Sequence, residues 1–314
     1  MKGPIFVGGA ARSGKTLMRW ILSSHSRITV SRRTDMWPRF AGRFGDLRRP
    51  ENLERCLRAM LRRKQIARLD PDLDRLRRDL RQGPPTYARL FALIHQQYAE
   101  RCGKERWGDQ TEFIERFADE LMAAYPGATV IHMIRDPRDR HEALLQRGSR
   151  GPGLMGSLTA DWLSSAALAE RNLECYPDSY LVVRYEDLVG RPEATMRQVC
   201  AVIDQRFEPA MLRMDGVRRY DRERARTADG SPISVEYLGR YRRVAPRDLA
   251  FIQAVAGARM RELGYVPDPV RLTPAERVHG ALEWPVGLAR LGAWRLLRLP
   301  RRSTPATRRT VAAG

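Results

Sequence analysis

The spacing of apolar and polar positions along the 314 residues switches between two periods, and the switches mark out the elements. The opening reads strand, glycine loop, helix: an apolar IFVGG, then AARSGKT, then LMRWILSS with its apolar residues at helical spacing, the start of a βα unit. Residues 46–82 mix charged and apolar positions at the helical period without strand signals, which predicts helices covering a sheet, punctuated by Pro84-Pro85. A helix over YARLFALIHQQYAERC, a short run around Arg106–Gly108 and a second helix over FIERFADELMAAY follow, closed by Pro126-Gly127. The run ATVIHMIRD is apolar and β-rich throughout, as a buried parallel strand should be. Residues 147–157 hold four glycines and predict a mobile loop. A helix around Asp161–Cys175 leads into a strand SYLVVRYED; one further helix starts near Pro192 and another runs from about Pro246 to Leu263. This alternation predicts an α/β fold, a doubly wound parallel sheet flanked by helices, with helical insertions over its binding edge. Residues 1–272 are expected to form one α/β domain, with 46–105 as the largely helical region that shapes the acceptor pocket. Residues 273–314 are expected to be a basic amphipathic segment and a disordered tail.

Charge changes this picture more than composition does. The hydrophobic fraction of 43% suits a folded domain, and no uninterrupted apolar run is long enough to span a bilayer. The short apolar start does not read as a signal peptide, so a cytoplasmic protein is expected. Cys56, Cys102, Cys175 and Cys200 are scattered, with no CxxC pair, and read as reduced thiols. The net charge is +20, carried almost wholly by arginine, the only lysines being Lys2, Lys15, Lys64 and Lys104. Such a field steers anions toward the chain. No recognised motif or aromatic-basic stripe marks nucleic acid as the partner. The five histidines form no ligand pattern; His132 lies in a strand and reads as a core residue.

Gly9-Ala10-Ala11-Arg12-Ser13-Gly14-Lys15-Thr16 matches the phosphate-loop pattern GxxxxGK[ST] in full. Its glycines let backbone N–H groups converge on phosphate oxygens while the following helix points its positive end at them. In a chain that uses arginine almost everywhere, Lys15 suggests that a compact ammonium is wanted. Alone, the loop favours a kinase or NTPase.

The loop's own segment and three later ones bear on that reading. ARSGKTLMRWILSSHSRI, WGDQT…AYPGATVIHMIRDPRD, YLVVRYEDLVGRPEATMRQVCAVI and VEYLGRYRRVAPRDLAFIQAVAGARMRELGY occur in order over about residues 4–266. Together they resemble bacterial sulfotransferases. The resemblance implies a phosphate-loop α/β fold and transfer of a sulfuryl group from 3′-phosphoadenosine 5′-phosphosulfate to a hydroxyl or amine, without a metal. By that pattern Arg12 and Lys15 serve catalysis, and Arg12, Ser13, Gly14, Lys15 and Thr16 hold the 5′-phosphosulfate. Arg135 binds the 3′-phosphate, with a structural ion pair to Asp136 or Asp139 as its alternative. Tyr185 packs near the adenine, and Gly239 and Arg240 close over the 3′-phosphate.

The chain departs from the pattern at three places. Lys15 replaces the first threonine of an SGTT loop. Ala143 stands where a serine assists the 3′-phosphate, with Ser149 nearby. No glutamate or histidine follows the first helix as general base; Asp35 is the nearest candidate, with a salt bridge as its alternative and Asp109 and Glu112 as runners-up. A small-molecule kinase using ATP and Mg²⁺ remains the second hypothesis, although its second strand would often end on a metal-binding aspartate, where ATVIHMIRD delivers Arg135 first. A non-catalytic anion- or membrane-binding protein is the third. The acceptor is open among small molecules, carbohydrates and lipid-linked groups, and so is the oligomeric state. Residues 275–302 combine Trp284 and Trp294 with Arg290, Arg295 and Arg298. They read either as an interfacial amphipathic segment in peripheral membrane contact or as a helix packed on the domain or a second subunit.

Overall fold

The computed structural model describes residues 2–149, 151–214 and 233–298, the last five by backbone alone. The five strands are β1 (Ile5–Gly8), β2 (Ile28–Arg32), β3 (Arg106–Gln110), β4 (Thr129–Ile134) and β5 (Tyr180–Arg184). They form one parallel sheet in the order β2-β3-β1-β4-β5. The glycine-loop strand therefore sits at the centre, registered Ile5 against Gly108 on one side and Ile5 against Thr129 on the other. Its side chains alternate between two cores, as a strand buried on both faces requires. Ile5 and Val7 pack with Met18, Ile21 and Leu22 of α1 (Lys15–Ser23), whereas Phe6 joins an aromatic cluster with Phe91, Trp107 and Tyr125.

The helices predicted over 46–82 are α3 (Pro50–Leu61), α4 (Lys64–Ala67) and α5 (Leu73–Arg81), after a short α2 (Met36–Phe40). With α6 (Tyr87–Arg101) they cover the Phe6 face. The helix read over 113–125 is a 3₁₀ turn followed by α7 (Ala118–Ala124). Beyond it come α8 (Pro137–Leu145), α9 (Leu154–Cys175), α10 (Tyr185–Gly190), α11 (Pro192–Val202), α12 (Ala210–Arg213), α13 (Pro246–Glu262) and α14 (Pro274–Arg298).

Several details differ from the expectations, and β2 and α2 have no counterpart in them. The strand SYLVVRYED stops at Arg184, and Tyr185 opens α10 with Glu186 and Asp187 in its first turn, where carboxylates favour the helix dipole. The glycine-rich loop is shorter than 147–157, because α9 begins at Leu154. Gly156 is not a loop glycine: it lies inside α9 where α14 crosses, and a Cβ there would stand 1.7 Å from the Gly287 carbonyl oxygen. The C-terminal segment is thereby seated on the domain. Gly280 and Gly287 are buried at the contact, Trp284 packs edge-on against Phe251 of α13 with centroids 5.5 Å apart, and Leu291 is buried. The side chain of Trp294 and the tail beyond residue 298 lie outside the described residues. His132 is a core residue, bonded through Nδ1 to the Tyr180 hydroxyl and through Nε2 to that of Ser165.

The glycine contact yields a prediction. Gly156→Ala forces α9 and α14 apart, and overpacking of this kind costs about 1–3 kcal/mol. Chemical denaturation should show that loss of stability.

Candidate active site

The chain leaves β1 at Gly8 and turns through Gly9–Gly14 into α1. Two residues of the turn show how tight it is. Gly14 has φ 97°, and a Cβ there would lie 2.5 Å from Cδ2 of Tyr185, so both the backbone and the neighbour demand glycine. Arg12 takes φ 65° without being glycine, a conformation that persists only where its surroundings impose it. Those surroundings are buried polar anchors. The carboxylate of Glu115, fully buried, accepts the Gly9 N–H through Oε2 at 2.8 Å. Arg140, also buried, donates through Nε to the Ala11 carbonyl at 2.7 Å and through Nη1 to that of Leu158 at 2.8 Å. No side chain caps α1, leaving its N-terminal end for a ligand. The Ser13 hydroxyl is buried with no hydrogen-bond partner. A loop with a free helix end and an orphaned buried hydroxyl fits an oxyanion.

Lys15 is buried below the loop, and its Nζ donates to the Gly9 carbonyl at 2.8 Å and to that of Ala10. Burial pushes its ammonium down to about 8, against the opposing pull of Glu112 and Glu115. Burial, then the charges of Arg147 and Arg135, likewise lower Arg12.

Arg12, Gly14, Lys15, Thr16, Arg135 and Tyr185 line one cleft of about 670 Å³ at the carboxyl ends of the strands. Arg135 is buried, donates through Nη2 to the Tyr237 carbonyl at 2.6 Å, and lies over the Tyr185 ring with its guanidinium carbon 4.5 Å from the centroid. Its Nε is buried without a partner. The two aspartates proposed as structural partners are engaged elsewhere. Asp136 pairs with Arg138 at 2.7 Å, and Asp139 accepts the N–H groups of Gly239 and Tyr241, both at 2.8 Å. Gly239 thus belongs to a turn fixed by Asp139, with φ 68°. Arg240 points into that turn, bound to Glu236 and stacked on Tyr237 at 4.3 Å; Tyr237 and Ser234 line the cleft in its place.

The carboxylates separate clearly. Asp35 faces the arginines Arg63, Arg39 and Arg33 at 3.2, 3.6 and 4.0 Å and does not line the cleft. Asp109 is fully buried and accepts from Ser31, Thr34 and Thr111. Glu112 does line the cleft, 3.4 Å from Arg33 and electrostatically the strongest carboxylate neighbour of Lys15. Ala143 is in the cleft wall and offers no hydroxyl; Ser149 is not in that wall. Cleft residues that escaped the sequence reading include Trp20, Arg33, Glu142, Arg147, Ser234 and Tyr237. Helical spacing from Ala143 would have found Arg147; no local signal marks the others.

The sequence profile of the sulfotransferase family matches residues 4–209, which hold the loop, β4 with Arg135, and β5 with Tyr185. The chain belongs to the sulfotransferase family. Among similar sulfotransferases, protein-tyrosine sulfotransferase 1 of Danio rerio is 27% identical over 305 residues, covering 90% of this chain and 80% of that protein. Protein-tyrosine sulfotransferase A of Caenorhabditis elegans is 24% identical over 281 residues, covering 84% and 67%. Both relatives are animal proteins, so the bacterial branch suggested by the motifs is not what these two show. The sulfotransferase domain of the Synechococcus PCC 7002 olefin synthase shares the fold, with a TM-score of 0.54 at 18% identity over 91% of this chain and 96% of that one. Among the described residues no helix is long and apolar enough to cross a membrane.

The depressed ammonium of Lys15 sets a pH dependence. Below about pH 8 the lysine is charged and attracts an anion; as pH rises through that value the ligand-free loop loses its charge. Sulfate, which does not titrate in this range, should bind more weakly above pH 8, by up to about tenfold per pH unit. Calorimetric titration should show this slope for the native chain and not for Lys15→Met.

Proposed function

We propose that this sulfotransferase moves a sulfuryl group from 3′-phosphoadenosine 5′-phosphosulfate to an acceptor hydroxyl or amine by in-line displacement. The observation that carries the reading is the gathering of Arg12, Lys15, Arg135 and Arg147 around one cleft, beneath an uncapped helix end. Two of these cations, Arg12 and Lys15, belong to the loop, where the 5′-phosphosulfate fits. Arg135 stands at the end of the adjacent strand, in no ion pair with Asp136 or Asp139, where the 3′-phosphate fits. The kinase alternative wants a carboxylate after β4 for a metal, and Asp136 is already held by Arg138.

In this reading the acceptor oxygen or nitrogen attacks sulfur and Glu112 takes its proton. The bond from sulfur to the bridging oxygen breaks, and that oxygen leaves with the electron pair as part of 3′-phosphoadenosine 5′-phosphate. Arg12, Lys15 and the amides of the loop stabilise the charge that develops on it. Glu112 replaces Asp35 as the favoured base because it lines the cleft beside Lys15, while Asp35 is held among arginines. The names of the relatives support a tyrosine hydroxyl as acceptor, beside the small-molecule, carbohydrate and lipid-linked classes. Residues 275–302 are read as bringing the reaction to a surface.

Two measurements test this. Glu112→Gln should lower kcat by about 10²–10⁴ while leaving the affinity for 3′-phosphoadenosine 5′-phosphate nearly unchanged, and Asp35→Asn should spare kcat. Loss of kcat in Glu142→Gln with Glu112→Gln intact would move the base to Glu142. Arg135→Ala should weaken the 3′,5′-bisphosphate by about 1.5–3 kcal/mol and adenosine 5′-phosphosulfate far less. Equal losses for both ligands would assign Arg135 to the fold alone.

A further inference from the structure

Helix α14 has two apolar faces. The inner one, Gly280, Trp284, Gly287 and Leu291, is spent on α9 and α13. The outer one follows the same helical period on the opposite side. Val278 is 65% exposed, Leu282 71% exposed, and Val286 stands out one turn further on. Pro285, Ala289 and Ala293 complete that stripe, and all three are exposed. No carboxylate interrupts it. Glu276 is turned back to the Thr273 N–H and hydroxyl at the start of the helix, and Glu283 lies toward Arg247 and His279. A helix seated on a domain ordinarily shows charge to water. Here Arg277 and Arg290, both exposed, flank the stripe and do not cover it.

We infer that the outer face of α14 docks onto an anionic lipid surface, with Val278, Leu282 and Val286 entering the interface and the flanking arginines meeting headgroups. Charge selects this occupant over a second copy of the chain. At +20, two copies repel, whereas an anionic bilayer attracts. Area points the same way, because a single helical stripe of a few aliphatic side chains falls short of the ~800 Å² per partner that a stable interface buries. Trp284 takes no part, since it is turned inward on Phe251. The inference does not depend on the identity of the donor.

Sedimentation of the full chain with vesicles of roughly 7:3 phosphatidylcholine to phosphatidylglycerol tests it. The native protein is expected to sediment with these vesicles, to release in high salt, and to stay behind with phosphatidylcholine alone. Val278→Glu with Leu282→Glu should weaken attachment at least about tenfold while thermal stability and the affinity for 3′-phosphoadenosine 5′-phosphate stay unchanged. Absence of binding to anionic vesicles overturns the inference, and so does binding that the double substitution leaves intact, which would reduce it to diffuse basic charge. A dimer in lipid-free light scattering that the same substitutions dissolve would give the face to a second copy instead.

Discussion

Arg12, Lys15, Arg135 and Arg147 face one another across a single cleft, and like charges held together need a counter-charge. The protein supplies part of it, through Glu112 and Glu142 in the same cleft wall. Glu112 and Glu115 oppose the burial of Lys15 only in part, and the two aspartates next to Arg135 are engaged by Arg138 and by the Gly239–Tyr241 turn. The remainder falls to an anionic ligand. The buried anchors around the loop have one shared effect: Glu115 on the Gly9 amide, Arg140 on the Ala11 carbonyl and Asp139 on the closing turn keep the cations from relaxing apart.

The strand order does the positioning. With β1 between β3 and β4, the segments that follow the three neighbouring strands bring the loop, Glu112 and Arg135 to one edge of the sheet. Tyr185, directly after β5, reaches back to Gly14 and under Arg135, tying the donor loop to the arginine of the adjacent strand. A parallel sheet offers its ligand such an edge because every strand ends there pointing the same way.

What the sequence showed was what is local. The loop is eight contiguous residues with a backbone reason for each glycine, and Arg135 follows an apolar run that only a buried strand explains. What it hid depends on packing between distant segments. Whether Asp35 or Glu112 faces the cleft is set by three arginines that surround Asp35, and no spacing reveals that. Gly156 looked like a loop residue because glycine disfavours helices, and only the crossing of α14 shows why it sits inside one. The C-terminal segment read as either packed or interfacial; its inner face, with Trp284, is packed on the domain, and Val278, Leu282 and Val286 on the other face are exposed.

In the proposed reading, the cations in this cleft hold a 3′,5′-bisphosphate with no metal to assist them. The most direct test compares thermal unfolding of the full chain with equal concentrations of 3′-phosphoadenosine 5′-phosphate and ADP in the presence of a chelator. Selective binding at about a hundred times Kd stabilises the folded state by roughly 2.7 kcal/mol. A rise of several degrees is expected with the bisphosphate and little with ADP. An equal or larger rise with ADP, or a bisphosphate effect that appears only when Mg²⁺ is restored, contradicts it.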